Sequence, residues 1–338
     1  MSFFEERGVS LKIESDGRVF PKSNSSQSII DCFLKETKQL GITILKNSSV
    51  KSFSHLVTDD VWQVTTMNKH YTCRKLLIAS GSNPKIWKQL EDLGHTIVPA
   101  VPSLFTFNIK DKRIQRIQGL STYVEVKVPA KKISNSKIVV KLRSQVKQQP
   151  ILESDGQLLI THWGMSGPAI LKLSAWGATI LKEYNYNFQI YINWVPEYTT
   201  EMLQEVFLKI KHVEAKKTIV RTKAVDIPKR LWTNLVKASE IEDNLKWADI
   251  TKEAIKRLAL QLTKCSFKVE GKSTFKEEFV TAGGVDLKEI DFKTFKSQKL
   301  PNLYFAGEVI NVDAITGGFN FQNAWTGAYI AAKAIAKS

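Results

Sequence analysis

The stretch 303-LYFAGEVINVDAITGGFNFQNAWTGAYIAA-332 combines a short apolar strand, a paired-glycine turn and a helix. Leu303 to Ala306 supplies the strand, and Ala324, Trp325, Ala328, Tyr329 and Ala332 recur at helical spacing. Between them lies Thr316-Gly317-Gly318. Paired glycines permit positive φ and allow backbone amides to approach a ligand that a Cβ would block; the helix that follows then offers free N–H groups to negative charge. Gly307-Glu308 comes directly after the strand, where a carboxylate can accept from sugar hydroxyls. The helix start at Asn320, Phe321 and Gln322 can donate to an electron-rich ring. A junction of this kind is built to hold an anion.

The rest of the composition bounds the class. At 338 residues, with 43% hydrophobic and 24% charged residues, the chain reads as a soluble globular protein of two or three domains. No apolar run reaches membrane-spanning length, and MSFFEERGVS is not a signal peptide, so a cytoplasmic protein is expected. Cys32, Cys73 and Cys265 are scattered without metal-ligand spacing, which gives reduced core thiols and no metal site. The formal net charge is +16. Its basic residues are dispersed, densest over 126–147 and 209–230, and read as solvated faces; no aromatic-basic RNA motif accompanies them, which argues against a nucleic-acid partner.

From its beginning the chain gives a helix end capped at Gly8, then the rigid loop DGRVFP presenting Arg18 and Phe20. A helix with Ile29, Ile30, Phe33 and Leu34 on one face ends at Gly41. Short strands follow as ITIL, VKSFSHL, VWQVTT and CRKLLIASG. In Ala79-Ser80-Gly81 small residues let the backbone pass close to a ligand, and Pro84 opens a further helix ended by Gly94. His95, just past that helix, is set aside as a surface or cap residue. Strand-like segments FTFNI, TYVEVKV, KIVVKL, QLLITHW and NFQIYINWV point to a β-barrel or sandwich insert. Three amphipathic helices fill 199–264, and SFKVEG and VTAGGVDL return to strand.

Within the insert, Thr161-His162-Trp163-Gly164-Met165-Ser166-Gly167-Pro168 makes a sharp strand-to-helix turn that can aim Thr161 and His162 at a pocket. A serine-hydrolase elbow is rejected, because Pro168 stands where G-x-S-x-G needs its second glycine.

Taken together, GEV, an aspartate, TGG and FNFQ in 307–322, the GR-FP loop, TH-G-SGPA-L and TAGGV resemble the bacterial FAD-dependent oxidoreductases that include aminoacetone oxidase and bile-acid reductase-like flavoproteins. The resemblance covers nearly all of the chain. It implies an α/β protein: an incomplete, discontinuous Rossmann-like FAD domain, glutathione-reductase-like, with an inserted β-barrel domain and a helical subdomain. The expected boundaries are 1–100, 101–197, 198–264 and 265–338. It further implies that FAD is held by Arg18, Ala79, Ser80, Gly81, Gly283, Gly284, Gly307, Glu308, Asp313, Thr316, Gly317, Gly318, Asn320, Phe321 and Gln322. His162 becomes the general acid or proton carrier, with Thr161 and Ser166 beside a small-molecule substrate. A nicotinamide, NAD(P)H, is left open as a transient electron donor.

One departure stands out. No two glycines in the chain are separated by a single residue, so the G-x-G-x-x-G fingerprint that opens the family is missing. The resemblance therefore implies a truncated form whose FAD affinity is lowered by roughly three orders of magnitude. The alternative is a non-enzymatic flavoprotein scaffold whose charge serves nucleic acid or another acidic partner.

Overall fold

Residues 1–15, 17–129, 152–273, 280–315 and 318–337 are described by the computed structural model. The KIVVKL segment, Thr316 and Gly317 lie outside them. The chain divides into two units: Met1–Pro99 with Gly283–Val312 and the carboxyl-terminal helix, and Ala100–Ala282 with Asp313 and its neighbours.

The first unit opens with helix α1 (Ser2–Glu5), which Gly8 terminates at φ +82°. Strands β1 (Leu11–Ile13) and β2 (Val19–Pro21) form a hairpin that carries Arg18 at its turn. Helix α2 (Gln27–Gln39) follows, and β3 (Val50–Leu56), β4 (Val61–Thr66) and β5 (His70–Cys73) make an antiparallel meander. The ITIL run at 42–45 is not a strand. Its β-branched residues favour extended backbone, but among the described residues nothing pairs with it, and Ile42, Ile44 and Leu45 are exposed. Strand β6 (Leu76–Ile78) leads through the 79–81 loop into α3 (Pro84–Asp92), where the Asn83 side chain accepts from the Lys85 N–H and Pro84 occupies the first turn. Apolar spacing along α3 turns Ile86, Trp87 and Leu90 inward.

Strand β7 (Ile97–Ser103) carries the chain out, and the second unit is built on seven antiparallel strands. These are β8 (Thr106–Asn108), β9 (Ser121–Val128), β10 (Leu152–Ile160), β11 (Gly164–Ser166), β12 (Asn187–Asn193), β13 (Cys265–Glu270) and β14 (Lys272–Ser273), in the spatial order 13-12-9-10-11-8-14. Both edges of this sheet belong to one run of chain kinked at Gly271, φ +97°. Gly271 donates to Tyr186 O and its carbonyl accepts from Asn108 N, so the two edges meet at a single residue. The described ladders stop short of the closed barrel expected from sequence. Helices α4 (Pro168–Trp176) and α5 (Ala178–Glu183) follow β11. Three longer helices, α6 (Thr200–Val213), α7 (Lys229–Ala238) and α8 (Lys252–Thr263), match the amphipathic segments. Thr199 and Thr251 cap α6 and α8 through their hydroxyls. Leu203, Phe207, Leu231 and Leu258 from these helices join Phe107, Leu158, Ile190 and Phe267 from the sheet in one apolar core.

The return strand β15 (Val280–Val285) pairs with β7. Strands β16 (Ile290–Asp291), β17 (Lys296–Ser297) and β18 (Leu303–Phe305) complete a four-stranded sheet in the order 16-17-18-6. Its pair β18 and β6 is parallel, with Leu303 opposite Leu76 and Phe305 opposite Ile78. The last helix, α9 (Phe319–Lys337), buries Gly327 and Ala331. A Cβ at Gly327 would stand 2.7 Å from the Phe295 ring, which explains the small-residue pattern of this helix as packing. Parallel strands, each followed by a helix, give the first unit a Rossmann-like α/β character.

Candidate functional site

Adjacent parallel strands must end side by side, and the loops that leave β6 and β18 do so. Ala306 N donates to Ile78 O at 3.0 Å, so the pairing persists to the last residue before each loop. From this common edge emerge Ala79-Ser80-Gly81 on one side and Gly307-Glu308 on the other. Gly81 and Gly307 hold φ of +62° and +76°, a left-handed backbone that costs glycine little. A Cβ at Gly81 or Gly318 would meet nothing within 4 Å, and at Gly307 only the Ala324 methyl at 3.5 Å. The proximity of Ala324 sets Gly307 against the second turn of α9, whose amino end begins at Phe319. Loop 79–81, loop 307–308 and the start of α9 therefore converge.

Glu308 gives this junction its charge. Its side chain is half-buried, and among the described residues it forms no hydrogen bond or ion pair. Burial raises its carboxyl above the usual carboxylate range. A carboxylate in that state is short of donors and suits the hydroxyls of a ribose or ribityl chain. The small residues around it leave space, and the α9 amino end offers N–H groups to a phosphate. These residues fit the FAD inferred from sequence.

Of the other expected residues, Asn320, Phe321 and Gln322 belong to the first turn of α9, whereas Arg18, Gly283, Gly284 and Asp313 lie on other segments. Arg18 belongs to the separate β1–β2 hairpin, with its guanidinium 5.5 Å from the Phe20 ring centroid. Gly283 and Gly284 are buried in β15, and a Cβ at Gly284 would stand 2.6 Å from Val309 O, so close backbone packing demands this glycine. Asp313 accepts from Ser103 Oγ at 2.9 Å. Asn320 is half-buried, Phe321 is exposed with its ring 5.7 Å from Trp325, and Gln322 donates along its own helix to Thr326.

In the second unit, Thr161 is committed to shaping its turn. Its hydroxyl accepts from Gly164 N at 3.1 Å and Trp163 N at 3.3 Å, and its N–H donates to Gly164 O. Gly164 is fixed there, since a Cβ would lie 2.2 Å from Phe107 O. His162 and Trp163 are thereby held out at an exposed tip, and Ser166 pairs with Leu159 in the sheet. Trp163, 64% exposed, carried no sequence signal of its own.

His95 corrects the sequence reading. It is buried, 2% exposed, with Nδ1 2.8 Å from Glu289 and Nε2 3.0 Å from Ser297 Oγ. Carboxylate, imidazole and hydroxyl follow in the order of a nucleophilic triad. Here, however, Ser297 Oγ is buried and accepts from the backbone N–H groups of Lys299 and Leu300, so its proton points to His95 Nε2. Burial lowers the His95 pKa despite Glu289, leaving a neutral ring that donates from Nδ1. Burial would raise Glu289, but Lys299, Thr96 and His95 outweigh it and hold the carboxyl at about 2. Every member has its partner. The cluster locks β16–β17 to the end of α3 and is not a reaction centre.

Small-residue loops at the carboxyl ends of neighbouring parallel strands, over a helix amino end, define the nucleotide-binding class of Rossmann-like α/β proteins. The model for the HI0933-like protein Rossmann domain matches residues 1–334, and the chain belongs to this family, which is of the FAD-binding type. It is similar to a ribosomal RNA dihydrouridine synthase of Haemophilus influenzae, 27% identical over 100% of this chain and 79% of that protein. The Escherichia coli protein of the same description is 27% identical over 97% of this chain and 76% of its own length. A 3-dehydro-bile acid delta(4,6)-reductase of Clostridium scindens is 22% identical over 100% of this chain and 80% of that protein. Among the described residues, no helix is long and apolar enough to cross a membrane, and no group of three or more His, Cys, Asp or Glu could hold a metal.

Proposed function

We propose that this protein is an FAD-dependent oxidoreductase that saturates a carbon–carbon double bond conjugated to a carbonyl, with a uracil ring in RNA as its substrate. The observation that carries the cofactor assignment is Glu308, a half-buried carboxylate without a partner among the described residues, beside glycines whose Cβ positions are open. The names of the relatives support the reaction class. Dihydrouridine differs from uridine by two hydrogens across C5–C6, a bond conjugated to the C4 carbonyl, and a delta(4,6) 3-oxo steroid is likewise an extended enone. The net charge of +16 favours the polyanionic substrate over the steroid. This reverses the expectation against nucleic acid.

When bound and reduced by two electrons, the flavin would supply hydride to the carbon β to the carbonyl and return to the oxidised state. Glu308 would accept from its hydroxyls, the amino end of α9 would receive phosphate, and loop 79–81 would let backbone approach it. The carbon α to the carbonyl must gain a proton, and the exposed imidazole of His162 is the residue we assign to that transfer. NAD(P)H is the proposed source of the two electrons.

The test begins with an FAD titration of the purified chain. Incubation of the loaded protein with NAD(P)H and a uridine-containing ribosomal RNA transcript should then produce nucleosides 2 Da heavier than uridine. Reduction of a steroid enone with RNA untouched would favour the small-molecule reading. A protein that stays colourless at saturating FAD would remove the cofactor assignment and leave the non-enzymatic scaffold.

A further inference from the structure

The second unit carries a ridge of cations that the nucleotide site does not use. Residues 209–230 hold eight Lys or Arg against two carboxylates, and both carboxylates are already engaged: Glu214 with Lys217 at 2.7 Å and Asp226 with Lys223 at 2.8 Å. Lys209, Lys216, Arg221, Lys229, Arg230 and Lys246 are exposed and have no carboxylate partner among the described residues.

These residues are held together by the fold. The segment after α6 lies antiparallel to residues 245–248, through Trp247 N to Lys217 O, Ala248 N to Ala215 O and Ile219 N to Leu245 O. Thr218 and Lys246 form an isolated antiparallel bridge, which sets Lys246 beside the segment that carries Lys216. Trp232 Nε1 donates to Ile219 O at 3.1 Å, which pins the start of α7 beside Arg221. Trp247 Nε1 donates to Thr222 Oγ1 at 2.9 Å, and the rings of Phe207, Trp232 and Trp247 pack beneath.

A second observation concerns helix polarity. Lys229 and Arg230 occupy the first turn of α7, which contains no acidic residue, although the positive end of a helix disfavours cations. The arrangement works against helix stability and becomes favourable when an anion is bound, because free N–H groups and two side-chain charges then act on it together.

We propose that this ridge is a docking surface for the phosphodiester backbone of RNA, an assignment that rests on the RNA reading above. The cations are spread over four segments on one rigid base, which suits a row of phosphates better than a single small anion.

The test uses the full chain and a fluorescent uridine-containing RNA stem-loop, with affinity measured from 50 to 200 mM salt. A triple variant, Arg221→Gln with Lys229→Gln and Arg230→Gln, should bind at least tenfold more weakly. Its slope of log K against log salt should shrink by about 0.7–0.9 for each phosphate that is no longer neutralised. Its FAD titration should match the parent, and its melting temperature should be equal or slightly higher because two cations leave the amino end of α7. A control lacking the same charge from the first unit, Lys38→Gln, Lys46→Gln and Lys69→Gln, should keep the parental slope. Equal weakening in the control would reduce the ridge to bulk charge, and an unchanged slope in the triple variant would end the proposal while dihydrouridine formation kept the RNA reading alive. Parent protein that binds no RNA would overturn both, and equal affinity for a DNA stem-loop would overturn the commitment to RNA.

Discussion

The corner around His95 and the loops that leave β6 and β18 belong to the same unit and carry the same kinds of group, a carboxylate, a hydroxyl and turn-forming residues. They differ in how those groups are satisfied. At the corner Glu289 has His95, Lys299 and the Thr96 N–H, and Ser297 has an acceptor and two donors. At the loops Glu308 has none among the described residues, and a Cβ added at Gly81 would point into open space. A polar network that is complete without a ligand has only the fold to hold, whereas one that is incomplete and roomy has a ligand to wait for. Satisfaction, rather than residue type, separates the structural cluster from the candidate site.

The sharpest way to break this comparison is with glycines. Gly284→Ala forces a Cβ to 2.6 Å from Val309 O and 2.8 Å from Ile310 C at φ +126°, and should destabilise the fold by about 3 kcal/mol or more, read as a drop in melting temperature. Gly318→Ala meets nothing within 4 Å and carries only the backbone strain of φ +89°, so it should cost clearly less stability than Gly284→Ala while weakening FAD. Similar melting temperatures for the two variants would erase the distinction.

Histidines give the next contrast. His95→Ala leaves Glu289 and Ser297 without a shared partner and should destabilise by about 1–3 kcal/mol with catalytic constants per folded molecule preserved. His162→Ala should do the reverse, slowing turnover by roughly 10²- to 10⁴-fold with an unchanged melting curve. Smaller still, Glu308→Ala removes one charge-assisted acceptor of about 1.5–3 kcal/mol, so FAD should bind roughly ten- to a hundredfold more weakly without loss of stability. A destabilised Glu308→Ala protein would move this residue into the structural group.

Acid probes the corner alone. The folded pKa of His95 is lowered, so its contribution is complete above its unfolded value near 6.5 and is lost as pH falls below it. Glu289 is also lowered, to about 2, so its contribution is present above about 4.5 and fades as pH falls toward 2. Stability should therefore decline in two stages on acidification, and His95→Ala should abolish the first.

The strand β18 and the helix α9 within 303–332 were legible because each has a local signature, an apolar run and then small residues every three or four positions. The amphipathic helices of 199–264 were legible for the same reason. His95 was misread because its partners Glu289 and Ser297 lie 194 and 202 residues away, and a lone histidine gives no local sign of them. The 42–45 run failed as a strand for the complementary reason, since β propensity is fulfilled only by a neighbour. Gly284 was read as ligand-facing, but a glycine pattern does not distinguish approach to a ligand from approach to Val309 and Ile310.

Gly271 has a consequence for how the chain is made. Because one short run supplies both edges of the seven-stranded sheet, one side each of β8 and β12 stays unpaired until residues 265–273 have been synthesised, and Lys272 must find Phe107 across 165 residues. Closing so large a loop is slow, and the waiting edges invite foreign strands. Pulsed hydrogen exchange during refolding should show the amides of β8 and β12 that face β14 and β13 protected last, in step with those of β13 and β14. A nascent chain halted before Cys265 should be the species that chaperones hold longest.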